Sequence, residues 1–137
     1  MRLQASRPVA ASSMVRAACM LTDQVGDLVA VRSTSNGVYK VWRADPAVRN
    51  RMPAIGVIIK KWGTTDCIVQ LSGPVLGVYT GLVPQRTYTV GDNGRPVNSI
   101  PTPSAPGEIR YVQQIGTPLS PTVLDLLPCL QIGIRTF

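Results

Sequence analysis

The stretch MPAIGVIIKKWGTTDCIVQLSGPVLGVYTGLVPQRTYTVGDNGRP, residues 52–96, decides the fold. Residues 55–61 form a strand whose first five residues are apolar and mostly β-branched. Gly63, Thr64 and Thr65 make a turn, and residues 66–71 return, the pattern of a β-hairpin. Gly73-Pro74 is expected to break the ladder and residues 75–79 to resume it, with Gly77 marking a bulge or a close backbone approach. A loop over residues 81–85 leads into an alternating strand over 86–90, with Tyr88 and Val90 on one face. Gly91-Asp92-Asn93-Gly94 then turns the chain.

The same reading extends upstream. Residues 28–32 and 38–43 are strands, and Asn36-Gly37 between them supplies the positive φ angles of a tight hairpin turn. Asp45-Pro46 is a helix-start signal, so residues 47–51 are expected to form one or two helical turns that stop before Pro53. Residues 12–21 fit either a strand or one short helix, because the apolar run is too short for periodicity to decide. Residues 1–11 lack periodicity and contain Arg7-Pro8; they read as an extended arm.

Downstream, residues 95–107 carry Pro96, Pro101, Pro103 and Pro106 and read as a long surface loop, since proline donates no ladder hydrogen bond. Residues 108–115 are expected to be a strand, 116–121 a loop and 123–127 a short strand. Residues 130–134 form a last strand or a tail that pairs with something. The sum is an all-β chain, a small barrel or sandwich of about nine or ten short strands with at most one short helix. It divides into an arm and lead-in (1–24), a β-domain (25–128) and a C-terminal tail or last strand (129–137).

Composition agrees with one domain. The chain has 137 residues and is 45% hydrophobic but only 5% aromatic, so its core must be built from Val, Ile, Leu and Ala. The net charge of +7 suggests an acidic partner, yet the basic residues are scattered, with Lys60-Lys61 the only adjacent pair. A nucleic-acid binder would cluster them among aromatics, so no specific nucleic-acid partner is expected. No apolar run is long enough for a membrane span, and the N-terminus lacks a signal-peptide core, which points to a cytosolic origin.

Chemistry finds little purchase. Histidine is absent, which excludes a Ser-His-Asp or Cys-His nucleophile. Cys19, Cys67 and Cys129 are far apart and form no metal-ligand motif; they read as buried free thiols. The 7 carboxylates fall mostly in turns and strand ends, where Asp satisfies local amides. Gly91-Asp92-Asn93-Gly94 lacks the spaced ligands of a calcium loop. Trp62 after Lys60-Lys61 is either a basic-aromatic spot or a rim aromatic that closes a barrel end. No catalytic residue, metal or cofactor is assigned.

Two motifs carry a resemblance. They are Gly-Leu-x-Pro-x-x-x-Tyr at Gly81, Leu82, Pro84 and Tyr88, and Val-Gln-x-Ile-Gly at Val112, Gln113, Ile115 and Gly116. With MPAIGVII before them and YVQQIGTPLSPTVLDLLP around the second, the region from residue 25 to 128 resembles the small β-domain of tailed-bacteriophage virion structural proteins. Gln85 and Arg86 stand where that pattern usually has a glycine, making the turn bulkier and more basic. The resemblance implies a non-enzymatic virion role in homo-oligomers, often trimers. Shortness, the arm and the basic balance favour a capsid decoration or cement protein on the outer head shell, with the major capsid protein as partner. A tail, baseplate or fibre component and a carbohydrate-binding receptor module are the alternatives. Contact residues are expected in the arm (Arg2, Leu3, Arg7, Pro8), at Arg86, in the Pro-rich loop at Ile100, and in the tail (Ile134, Arg135, Phe137).

Overall fold

The alternation in residues 28–43 and 55–71 produces two hairpins, and a third strand closes them into a ring. The computed structural model describes residues 12–136. Its first strand, β1 (Ser13–Ala18), resolves the ambiguity of residues 12–21 in favour of extended chain. β2 (Leu28–Ser35) and β3 (Val38–Arg43) form the first hairpin, turned by Asn36 at φ +52° and Gly37 at +75°. β4 (Ala54–Trp62) and β5 (Asp66–Val75) form the second. β1 lies parallel to β3 at Ala17 and Ala18 and antiparallel to β5 from Ser13 to Ala18. The order β1-β3-β2-β4-β5 therefore returns to β1 as a five-stranded closed barrel. Its interior holds Ala17, Val29, Val41, Ile58, Cys67 and Val69, all small or aliphatic. So narrow a barrel has no room for many rings, which is how a chain with few aromatics fills it.

β5 then leaves the barrel. Gly73 to Val75 pair with β10 (Val123–Leu126), which leads through β9 (Gln114–Ser120) and β6 (Tyr88–Val90) to the two-residue edge strand β7 (Pro96–Val97). This wing covers the outer face of the barrel. A second core of Leu28, Val57, Val75, Tyr88, Ile115 and Leu124, among others, fills the interface. β8 (Ile109–Val112) pairs with β11 (Gly133–Thr136) as a separate two-stranded sheet. Eleven strands and one 3-10 turn at Arg49–Arg51 are the regular elements of the described residues, an all-β fold.

The differences from expectation have local causes. Gly73-Pro74 does not break the ladder: Pro74 pairs with Asp125. At that point β5 has lost β1 and β4 and has one neighbour, so a missing N–H on the free side removes nothing. The bend is held by Gln70, whose Nε2 donates to the carbonyls of Ser72 (3.1 Å) and Pro74 (2.9 Å). Only Val75 of the expected strand 75–79 is in a ladder, because Gly77 at φ +73° turns the chain away. The helix expected at 47–51 shrinks to the 3-10 turn, although Asp45 Oδ1 does accept the Ala47 N–H at 2.9 Å. The strand expected at 108–115 is divided at Gln113, and 116–121 is mostly strand rather than loop.

Gln113 explains the division. Its side chain is fully buried and faces β4, where Oε1 accepts the Ala54 N–H (2.7 Å) and Nε2 donates to the Ala54 carbonyl (2.8 Å). The amide thus imitates a strand neighbour and joins wing to barrel. Gly116 follows at φ +148°, packed so close to the Asp125 carbonyl that a β-carbon would collide with it. The other motif is a corner: Tyr88 Oη accepts the Val83 N–H at 2.8 Å, while the Leu82 N–H donates to the Pro121 carbonyl at 2.9 Å.

Replacing Gln113 with Leu strands both polar groups of Ala54 and is expected to lower unfolding free energy by about 2–4 kcal/mol in chemical denaturation. Gly116→Ala is expected to cost about 3 kcal/mol or more because of the backbone collision. Gly77→Ala, which meets open space, is expected to cost only about 1 kcal/mol for its left-handed φ.

Candidate functional site

The two ends of the barrel differ in chemistry. The chain entering from β1 wraps the lower end through residues 19–27. There the Lys61 ammonium donates to the carbonyls of Met20 (3.3 Å), Leu21 (3.0 Å) and Asp23. Asp23 Oδ2 accepts the Met20 N–H at 2.8 Å, and Asp27 Oδ2 the Gln24 N–H at 2.9 Å. Arg95 spans from Asp27 Oδ1 (3.4 Å) to the Val25 carbonyl (2.9 Å). Tyr79 Oη donates to the Gly26 carbonyl at 2.7 Å, and burial pushes its phenol well above the ordinary range. These charged groups all have structural partners, so the lower end is a plug.

The cysteines fit the same picture. Burial, with Cys19 beside it, pushes the Cys67 thiol up to about 12, and its Sγ donates to the Ala17 carbonyl. A thiol so held stays protonated and is a core residue. Cys129 departs from expectation: it is exposed, in the irregular segment between β10 and β11. Among the described residues no group of three or more His, Cys, Asp or Glu side chains is placed to hold a metal ion.

The upper end is open and apolar. Val15, Val31, Tyr39, Ile55 and Leu71 ring a cavity of about 400 Å³, and Leu127, Pro128 and Leu130 form a wall to one side. Leu127 is 71% and Leu130 69% exposed, so the wall stands in solvent without a cover in the single chain. Alternation along the strands gives the inward direction of the five barrel residues. It does not say that the barrel ends there without a plug, and the sequence reading missed this site. The available signal was two leucines on either side of Pro128, at the ends of the segments read as strands over 123–127 and 130–134.

The outer wall carries two basic-aromatic stacks. The Arg51 guanidinium lies 4.8 Å and that of Arg32 6.0 Å from the Trp42 ring centroid. Arg16 lies 5.4 Å and Lys60 5.5 Å from that of Trp62. Trp62 has two cations beside its ring and also stands at the end of β4, so both of its sequence readings stand.

The anticipated contact residues do not converge. Arg86 is exposed in the loop after β5, beside Gln85 at φ +70°. Ile100 is 52% exposed beyond β7. Ile134 on β11 borders a separate surface cavity of about 370 Å³ with Arg49, Met52, Tyr111 and Ile132. Arg135 stands opposite Arg110 in the ladder, whose guanidinium is engaged by Asp92 (3.1 Å) and Glu108 (3.7 Å). Hydrogen bonds from the Ser104 side chain and backbone, then Arg110, hold the exposed Glu108 carboxyl below its ordinary value. Arg2, Leu3, Arg7, Pro8 and Phe137 lie outside the described residues.

Searches of protein-family models, of curated proteins and of solved structures found no match to this chain.

Asp27 offers a pH test of the plug. Burial raises its folded-state value above the ordinary 3.8, outweighing the Gln24 amide and Arg95. Between the two values the folded form therefore keeps a proton that the unfolded form has released. Its contribution to stability is complete below 3.8 and declines as pH rises through the raised value. Thermal unfolding followed upward from about pH 3 is expected to show this decline in the parent and its loss in Asp27→Asn.

Proposed function

We propose that this protein is a structural component of a bacteriophage virion, a decoration or cement protein seated on the outer surface of the head shell. The observation that carries the reading is apolar surface left uncovered while the charges are used internally. Charged groups at the lower end are consumed in holding the fold, and large apolar side chains stand exposed at the mouth, as Leu127 and Leu130, and elsewhere, as Leu21, Leu76, Leu119 and Ile134. That is the arrangement of a body that binds other proteins. The partner class comes from the resemblance of residues 25–128 to virion β-domains. The residues that carry the resemblance, Leu82, Tyr88, Gln113 and Gly116, are those that make the corners and the wing-to-barrel joint.

The major capsid protein and further copies of the chain are the proposed partners. A shell is stabilised by whatever binds its assembled form in preference to its free subunits. An oligomer touching several capsomers gains by multivalency. The net charge of +7 favours encounter with an acidic shell surface. Arg86, Ile100, Ile134 and Arg135 are the outward-facing candidates for shell contact. A glycan-binding role is less well supported, because each tryptophan already has cations stacked beside its ring.

Quantitative protein measurement on purified particles tests the proposal. Decoration predicts copies on the order of the number of capsomers, together with binding of the isolated protein to expanded empty heads. A handful of copies that follow the tails would replace it with a tail or baseplate assignment.

A further inference from the structure

We infer that the free edge of β11 receives an extended acidic segment of a partner protein, added to the β8–β11 ribbon as a third strand. The ribbon is joined to the body on its β8 side, where the Tyr111 N–H donates to the Pro46 carbonyl at 2.8 Å. The N–H and C=O of a strand residue point to the same side, so Tyr111 turns both away from its ladder partner Ile134. Ile134 then points its own N–H and C=O outward, and by alternation so does Thr136. Among the described residues these outward groups have no hydrogen-bond partner. All four residues of β11 are exposed. The strand contains no proline, and its register with β8 has no bulge, so none of the usual devices closes the edge.

The side chains on the two faces of the ribbon define the occupant. Ile132 and Ile134 line a cavity of about 370 Å³ with Met52, Tyr111 and Arg49. Arg135 belongs to the other face, across the ladder from Arg110. Like charges directly opposite repel, and Asp92 and Glu108 both engage Arg110. Arg135 and Arg49 have no carboxylate within ion-pair distance among the described residues. An antiparallel strand added here exchanges hydrogen bonds with Ile134 through the residue beside it. That residue turns its side chain to the cavity face, and its neighbour lies opposite Arg135. The matching sequence is therefore apolar at one position and acidic at the next. The same charges exclude this chain as the occupant. A second β11 brings another Arg135 and no carboxylate, residues 1–11 contain no carboxylate either, and each copy carries a net charge of +7.

The inference does not depend on the virion reading, and purified chain alone tests it, so either fails without the other. The full chain is titrated against a fluorescent peptide of about seven alternating valine and glutamate residues, followed by anisotropy. Two controls are a peptide with lysine in place of glutamate and the acidic peptide N-methylated at its valines, whose N–H groups would bond to Ile134. The acidic peptide is expected to bind at least about tenfold tighter than either control. Arg135→Glu is expected to invert the preference toward the lysine peptide while the thermal transition stays in place. A misfolded protein would not produce that inversion. Ile134→Pro, which removes an outward N–H, is expected to weaken binding of the acidic peptide about tenfold or more. Absence of binding at about 1 mM acidic peptide overturns the inference. So does equal binding of either control, an Arg135→Glu protein that still prefers glutamate, or an Ile134→Pro protein that binds as the parent does.

Discussion

One side-chain amide joins the two halves of this molecule. Gln113 presents its oxygen and nitrogen to the backbone of Ala54 as a neighbouring strand would, from a site without solvent. Two hydrogen bonds in such a place matter more for what their loss leaves behind than for what they add. An unpaired amide and carbonyl in an apolar layer cost about twice the net gain of making the pair. The break between β8 and β9, the direction of β9 into the second core and the position of Ile115 all follow from the turn that sends this side chain inward.

β5 does the complementary work along the chain. Its first part completes the barrel and its last three residues found the wing, so one strand belongs to both cores. Gln70 holds the bend between the two roles, again by donating to backbone carbonyls. Two buried glutamines thus mark the places where strands change partners. Each is a polar group whose burial is tolerated because the backbone around it is otherwise short of a neighbour.

The hairpins were legible because their turns depend on local chemistry. Asn36-Gly37 supplies two positive φ angles, and alternation on either side sets the faces. Proline and glycine were misread where tertiary pairing overrides local preference. Pro74 sits in a ladder because one side of β5 is vacant there, and Gly116 continues a strand because it must pass close to the Asp125 carbonyl. Neither fact is local. The barrel's closure by β1 and the apolar mouth were illegible for the same reason: both depend on which strands meet. Of the expected contact residues, Ile100 and Ile134 are exposed, while Leu127 and Leu130 escaped notice because nothing in their spacing signals a wall.

The place of β1 has a consequence for how the chain reaches this state. It is the first of the described strands in the order of synthesis, yet its long antiparallel partner is β5, which completes the second hairpin. The two hairpins can form from neighbours in sequence, but the ring between them stays open until Ser13 finds Ser72 and Ala18 finds Asp66. Closure is therefore the long-range step, with the loop-closing cost that slows β-rich folds. Until it happens, the interior faces of both hairpins and the edges of β3 and β5 are bare. Crowded nascent chains would be most exposed to one another in that interval.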